Sequence, residues 1–158
     1  MYYLTTTRFD ENTWNENKIF RKMKNISCIY GTPMRIKSSI PVKSDLFVIE
    51  MNNTTNKIKG IGLIINYVHV NNKFKIYKDN NYNRYIYCGN VRLNIIELSE
   101  SEKEIMNILE QLLFKGSKHC KRAQGICEIP IWLKKNKSNV DFVNIIKNMF
   151  EKRNLINK

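Results

Sequence analysis

The chain predicts an α+β fold, a small twisted sheet or open β-barrel flanked by helices, formed as one domain over residues 1–158. Runs of β-branched and aromatic residues at strand length crowd between residues 2 and 98, separated by Asn, Gly and Pro. Helical periodicity appears once near the start of that block and twice after it. Strands grouped between flanking helices, rather than alternating with them, give the α+β class. At 158 residues and 42% hydrophobic, the chain is long enough to bury a real core.

Residues 2–7 are aromatic and β-branched and predict a strand. Asp10 or Asn12 caps a helix over 13–23, whose apolar Trp14, Ile19, Phe20 and Met23 make a narrow face. Residues 27–30 are apolar and end at the turn signal Gly31-Thr32-Pro33. Ser44-Asp45 opens a strand over 46–51, and residues 52–56 are a polar turn. Residues 58–70 return as a second strong strand with Gly60 and Gly62 near its start. Two apart, these glycines share one face of the strand and leave a lane without side chains, where a backbone or a flat ligand can approach.

Shorter strands follow at 74–77, 85–88 and 91–98. Ser99 and Ser101 each precede a glutamate by three residues, the capping-box spacing. The helix they start carries Ile105, Ile108, Leu109, Leu112 and Leu113 on one face, and Gly116 ends it as a C′ residue. Residues 126–133 contain Pro130 and predict an edge strand or an extended segment. Ser138 with Asp141 starts a last helix over 140–153.

Lys and Arg total 27 against 14 Asp and Glu, a net charge of +13. A compact domain with that surplus attracts polyanions, nucleic acid before all others. An anionic membrane is a weaker partner, because no basic amphipathic helix stands out and no apolar run spans a bilayer. Part of the surplus reflects an AT-rich coding sequence, since Lys, Asn and Ile abound and Ala123 is the single alanine. The distribution says more. Residues 115–137 hold seven basic residues and one acid, whereas 97–104 are acidic. Within the basic stretch, Lys118, Lys121, Arg122 and Gln124 lie between Gly116 and Gly125, a composition that offers cations and backbone N–H groups to phosphate. It is not a P-loop, because the glycines are wrongly spaced and no Gly-Lys-Ser/Thr occurs.

Cys28, Cys88, Cys120 and Cys127 form no CxxC pair, and the N-terminal residues lack a signal-peptide layout. A reducing, intracellular location with free thiols is expected. His119, Cys120 and Cys127 fall short of a metal set, since neighbouring residues point apart and a fourth ligand is missing. Basic neighbours can lower the Cys120 thiol pKa, but only His69 and His119 could serve as its base. No carboxylate pair, triad or cofactor fingerprint emerges, so the expectation is a protein without catalysis or cofactor.

Two stretches carry a resemblance. One is the strand–helix opening followed by Cys28-Ile29-Tyr30-Gly31-Thr32-Pro33; the other is Val42-Lys43-Ser44-Asp45-Leu46-Phe47-Val48-Ile49, a turn, then Ile58-Lys59-Gly60-Ile61-Gly62-Leu63-Ile64. Over about residues 1–70 this resembles the PUA-like superfamily, in particular its EVE, YTH and ASCH branches. The resemblance implies a pocket beside the sheet that takes a flipped or modified base between aromatic walls. Tyr30 matches the position where a tryptophan is common, Thr32 and Pro33 would shape the rim, and Tyr67, Tyr85, Tyr87 or Trp132 would supply the second wall. Phe47-Val48-Ile49-Glu50-Met51-Asn52-Asn53 and Lys121-Arg122-Ala123-Gln124-Gly125-Ile126 resemble a small family of large DNA viruses, which implies an infected cell or a virion and no activity.

The expected site therefore joins Tyr30, Thr32 and Pro33 as the base pocket to Arg35, Lys118, Lys121, Arg122 and Gln124 as the phosphate rim. Glu50 and Asn52, at a strand end, would read a base edge. The expected function is non-catalytic binding of RNA or DNA. The alternative is a viral structural protein that neutralises the genome or an acidic partner by charge alone. A concave aromatic pocket beside the Gly60/Gly62 lane favours the first, and a filled lane the second.

Overall fold

The computed structural model describes residues 1–69 and 74–158, and the expected strand end at Val70 lies outside them. The strands are β1 (Tyr2–Phe9), β2 (Cys28–Thr32), β3 (Asp45–Asn52), β4 (Lys57–Ile65), β5 (Tyr85–Gly89), β6 (Val91–Asn94) and β7 (Cys127–Glu128). The helices are α1 (Glu11–Lys24), α2 (Glu100–Phe114), α3 (Ile131–Lys134) and α4 (Phe142–Lys152). Five strands form a mixed sheet in the order β6-β4-β3-β1-β7, and β2 pairs with β5 in a second, two-stranded sheet. The fold is α+β with no closed barrel among the described residues.

β1 and β3 run parallel, so α1 and β2 form the crossover between them. β3 and β4 are an antiparallel hairpin closed by the polar turn at 53–56. Period-two alternation in β3 sends Phe47, Ile49 and Met51 to one core and Leu46 and Val48 to another. The first core lies under α2 and α4, with Leu109, Leu113, Ile146 and Phe150 at its centre. The second lies under α1, β2 and β5, with Trp14, Phe20, Ile29, Tyr30 and Tyr87. Asp10 caps α1 and Ser99 caps α2, each in a capping box, with Thr13 and Glu102 as the returning partners. Gly116 follows the C-cap of α2 at φ +86°, as expected of a C′ glycine.

Four expected strands change. The strand expected over 58–70 ends at Ile65, with residues 66–69 outside any strand. Residues 74–77 form none, because the Asn83 side chain accepts from the Ile76 and Tyr77 N–H groups and donates to the Tyr77 carbonyl, satisfying that backbone without a ladder. Residues 91–98 stop as a strand at Asn94, which caps a 3-10 turn over Ile95–Glu97. In 126–133 only Cys127–Glu128 pairs, antiparallel to β1 at its edge, and the chain turns into α3 after Pro130. On α1, Ile19 and Met23 are exposed, leaving Trp14, Asn17 and Phe20 as its buried positions. Among the described residues no helix is long and apolar enough to cross a membrane.

Candidate functional site

The glycine lane is occupied from inside the molecule. Gly31 and Thr32, expected as a turn, instead pair with Ile86 and Tyr85, so Tyr30 lies within β2 and points inward. Its ring is 1% exposed, and its hydroxyl donates to Glu50 Oε1 at 2.8 Å. Glu50 is 0% exposed and holds Arg92 at both oxygens, with Nη2 to Oε2 at 2.6 Å and Nε to Oε1 at 2.9 Å. This bidentate, nearly dry pair is the strong form of an ion pair. The glycines make room for it. A Cβ on Gly62 would lie 2.0 Å from the Tyr30 hydroxyl, and one on Gly60 would lie 2.5 Å from Arg92 Nη2. Burial, then the charge of Glu50, holds the Tyr30 phenol well above its usual range.

The expected roles of three residues are thereby corrected. Tyr30 offers no face for stacking a base, because it is core. Glu50 is a buried counterion rather than a strand-end carboxylate, because β3 runs on to Asn52. Asn52 is also buried; its Oδ1 accepts from Thr54 and Thr55 N–H and its Nδ2 donates to Glu11, so it builds the β3–β4 turn. Cys120 departs from its reading too. Burial pushes its thiol up to about 11, against the lowering expected from basic neighbours.

An open cavity lies elsewhere, in the seam where β1 and β2 share no hydrogen bonds. It encloses about 450 Å³ between the end of β1, the first turn of α1, Gly31 of β2, the segment around Tyr77 and Tyr82, and Gly125. That is the size of small-ligand pockets, which run from about 300 to 1,000 Å³. Phe9, Tyr77 and Tyr82 give it aromatic surface, and Arg8, Asp10, Thr13, Asn53 and Asp79 give it polar atoms, two carboxylates against one cation. Phe9 and Tyr77 are buried and Tyr82 half-buried, so Tyr82 is the aromatic side chain nearest solvent. Tyr77 is fixed by Asn17 Nδ2 at 3.0 Å, and Tyr82 stands edge-on to it at 6.5 Å. Gly31 must be glycine, because a Cβ there would lie 2.1 Å from the Tyr82 carbonyl oxygen.

The basic segment between α2 and β7 reaches the cavity at Gly125. Its backbone crosses the ends of the two parallel strands, where the Lys121 carbonyl accepts from Arg8 Nη1 at 3.0 Å and Asn53 Nδ2 at 2.9 Å. The Lys121 ammonium donates to Asn56 Oδ1 at 2.7 Å, and its N–H donates to His119 Nδ1. His119 is therefore a local hydrogen-bond acceptor, and the Cys127 thiol donates to the Gln124 carbonyl. Gly125, at φ +72°, packs against Thr32 and Met34 and completes the cavity. Lys118, Arg122 and Gln124 stay exposed. Thr32 is buried, its hydroxyl donating to the Met34 carbonyl, and Pro33 is half-buried beside it. Arg35 lies apart, stacked 5.1 Å over the Tyr85 ring and lining other depressions.

The structure thus brings Gly125 of the basic segment to a cavity; Tyr30, Thr32, Pro33, Arg35, Glu50, Asn52, Lys118, Lys121, Arg122 and Gln124 do not line it. The sequence reasoning missed Arg8, Phe9, Asn53, Tyr77 and Tyr82. The charge and the aromatic pair were visible, but nothing local joins residues 8, 53 and 82. Compared with protein-family models, curated proteins and solved structures, the chain matches none of them.

Proposed function

We propose that this protein is a non-catalytic nucleic-acid-binding module of PUA-like type. It takes an unpaired base, plain or modified, into the cavity between β1 and β2, with phosphates held along Lys118, Lys121 and Arg122. One observation supports the reading: a base-sized cavity with aromatic surface meets, at Gly125, the most basic stretch of a chain of net charge +13, whose Lys121 carbonyl ties down the cavity residues Arg8 and Asn53. A flat base suits a pocket flanked by Phe9, Tyr82 and two glycines, since stacking needs area rather than a particular hydrogen-bond pattern. Asp10 at the rim offers a carboxylate acceptor for an exocyclic amine, and Arg8 a donor.

Anisotropy titrations of labelled single-stranded and duplex RNA and DNA test it. Single-stranded oligonucleotides bind, and affinity falls by orders of magnitude between about 50 and 200 mM salt. Replacing Lys121 and Arg122 together weakens binding across sequences and lowers the salt slope by about two. Absence of binding to every oligonucleotide at low salt refutes the reading.

The filled Gly60/Gly62 lane favours a second reading, a structural protein that meets the genome or an acidic partner by charge alone. That protein binds duplex and single strand alike and is indifferent to Tyr82.

A further inference from the structure

Three cations gather around one indole on the face of the sheet that α1 covers. Arg21 of α1, Lys59 of β4 and Arg92 of β6 lie 5.3, 5.7 and 5.6 Å from the Trp14 ring centroid. The carboxylate in this group is Glu50, and Arg92 takes both of its oxygens. Arg21 Nε is satisfied by the neutral Asn17 Oδ1 at 2.9 Å. Among the described residues neither Arg21 nor Lys59 has an ion-pair partner. The cluster therefore keeps two positive charges beyond its acid, both half-buried. Burial, then the charge of Arg92, presses the Arg21 guanidinium below its usual range, with Glu50 opposing.

The backbone is shaped to add Lys59 to this group. The β3–β4 register slips between Glu50 and Met51, which face Gly60 and Ile58 and leave Lys59 as the extra residue of a β-bulge. The bulge sets Lys59 over Trp14 and Gly60 against Arg92 while Ile58 and Ile61, three apart, both reach the other core. A bulge that re-aims a side chain beside an open polar surface is a common device at binding sites.

We propose that Arg21 and Lys59 form an anion site over Trp14 that holds a phosphate group of the nucleic acid whose base enters the cavity. This rests on the nucleic-acid reading above. Phe9 connects the two places, since it lines the cavity and meets the Trp14 ring edge-on at 5.3 Å. Arg92 keeps Glu50 neutralised, so that the carboxylate does not repel the anion.

The test follows the Trp14 indole N–H by NMR in the whole protein, its signal told from that of Trp132 by a Trp132→Phe variant. Sodium phosphate and a single-stranded oligonucleotide are titrated separately. Both shift the Trp14 signal. Lys59→Gln reduces both shifts, weakens the oligonucleotide about fivefold at low salt and lowers the salt slope by about one. Lys18→Gln, an exposed lysine of α1, does none of this. An oligonucleotide that binds without moving Trp14, or Lys59→Gln behaving like Lys18→Gln, overturns the site and leaves the nucleic-acid reading standing. If phosphate moves Trp14 through Lys59 while no oligonucleotide binds, the nucleic-acid reading fails; the anion site stands, with free phosphate as its ligand. A Trp14 signal silent to both overturns the site.

Discussion

Gly60 and Gly62 border one gap in the side-chain packing, and Gly31 and Gly125 border another. The first is filled by Tyr30, Glu50 and Arg92 reaching from three different strands, and the second is open. In each place the missing Cβ makes room, but for different guests: in the lane a buried ion pair, at the seam an open volume that the basic segment meets at Gly125. A glycine pair in a strand therefore announces a close approach without saying whether the visitor is the protein itself. What decides is whether a long polar side chain elsewhere can reach the gap.

Breaking the lane has the largest expected effect. Glu50→Ala leaves Arg92 nearly buried without its counterion and costs about 3–5 kcal/mol in urea unfolding. A loss under about 1 kcal/mol would mean that the lane is wet and open to ligands after all. Gly62→Ala comes next, at about 1–3 kcal/mol, through overpacking against the Tyr30 hydroxyl. Adding Tyr30→Phe removes the atom that the new methyl strikes, so the double variant is more stable than the two losses added together. The cavity responds in the opposite way. Tyr82→Ala changes stability little but weakens single-stranded oligonucleotides about tenfold, and Tyr82→Phe restores them. If both variants bind as the wild type does, the cavity is not where a base goes.

The smallest effect separates the lane from the rest of the molecule in acid. Arg153, hydrogen-bonded to Glu102 across the α2–α4 core, holds that carboxyl at about 2, below its ordinary 4.5. A depressed folded-state pKa gives stability that is full above about pH 4.5 and is lost as pH falls toward 2. Glu102→Gln lowers the melting temperature at neutral pH and flattens its fall between those values. An unchanged acid limb would assign acid unfolding to other carboxylates.

Much of the fold was legible in local pattern. The cap candidates Asp10 or Asn12 and Ser99 or Ser101, the strand over 46–51 and the stop at Gly116 were readable locally, and the structure uses Asp10 and Ser99. Where the reading failed, a distant side chain had replaced a neighbour, as when Asn83 satisfies the backbone of residues 76–77. The site was less legible still. Glu50 shares the register of buried Leu46 and Val48, a sign that it points inward, but its partner Arg92 lies 42 residues away. Tyr30 read as exposed because Gly31-Thr32-Pro33 is a turn signal, and pairing with β5 overrode it. The basic segment was legible as charge, and its attachment to Arg8 and Asn53 was not.

That attachment has a consequence for how the protein is made. The cavity takes its walls from residue 7 to residue 125, and its last side is fastened by the carbonyl of Lys121. A chain emerging from the ribosome can fold the β1–β3–β4 sheet early, since all its strands have left by residue 65. The cavity is not closed until some sixty residues later. Any ligand that needs the finished pocket is therefore invisible to the nascent protein.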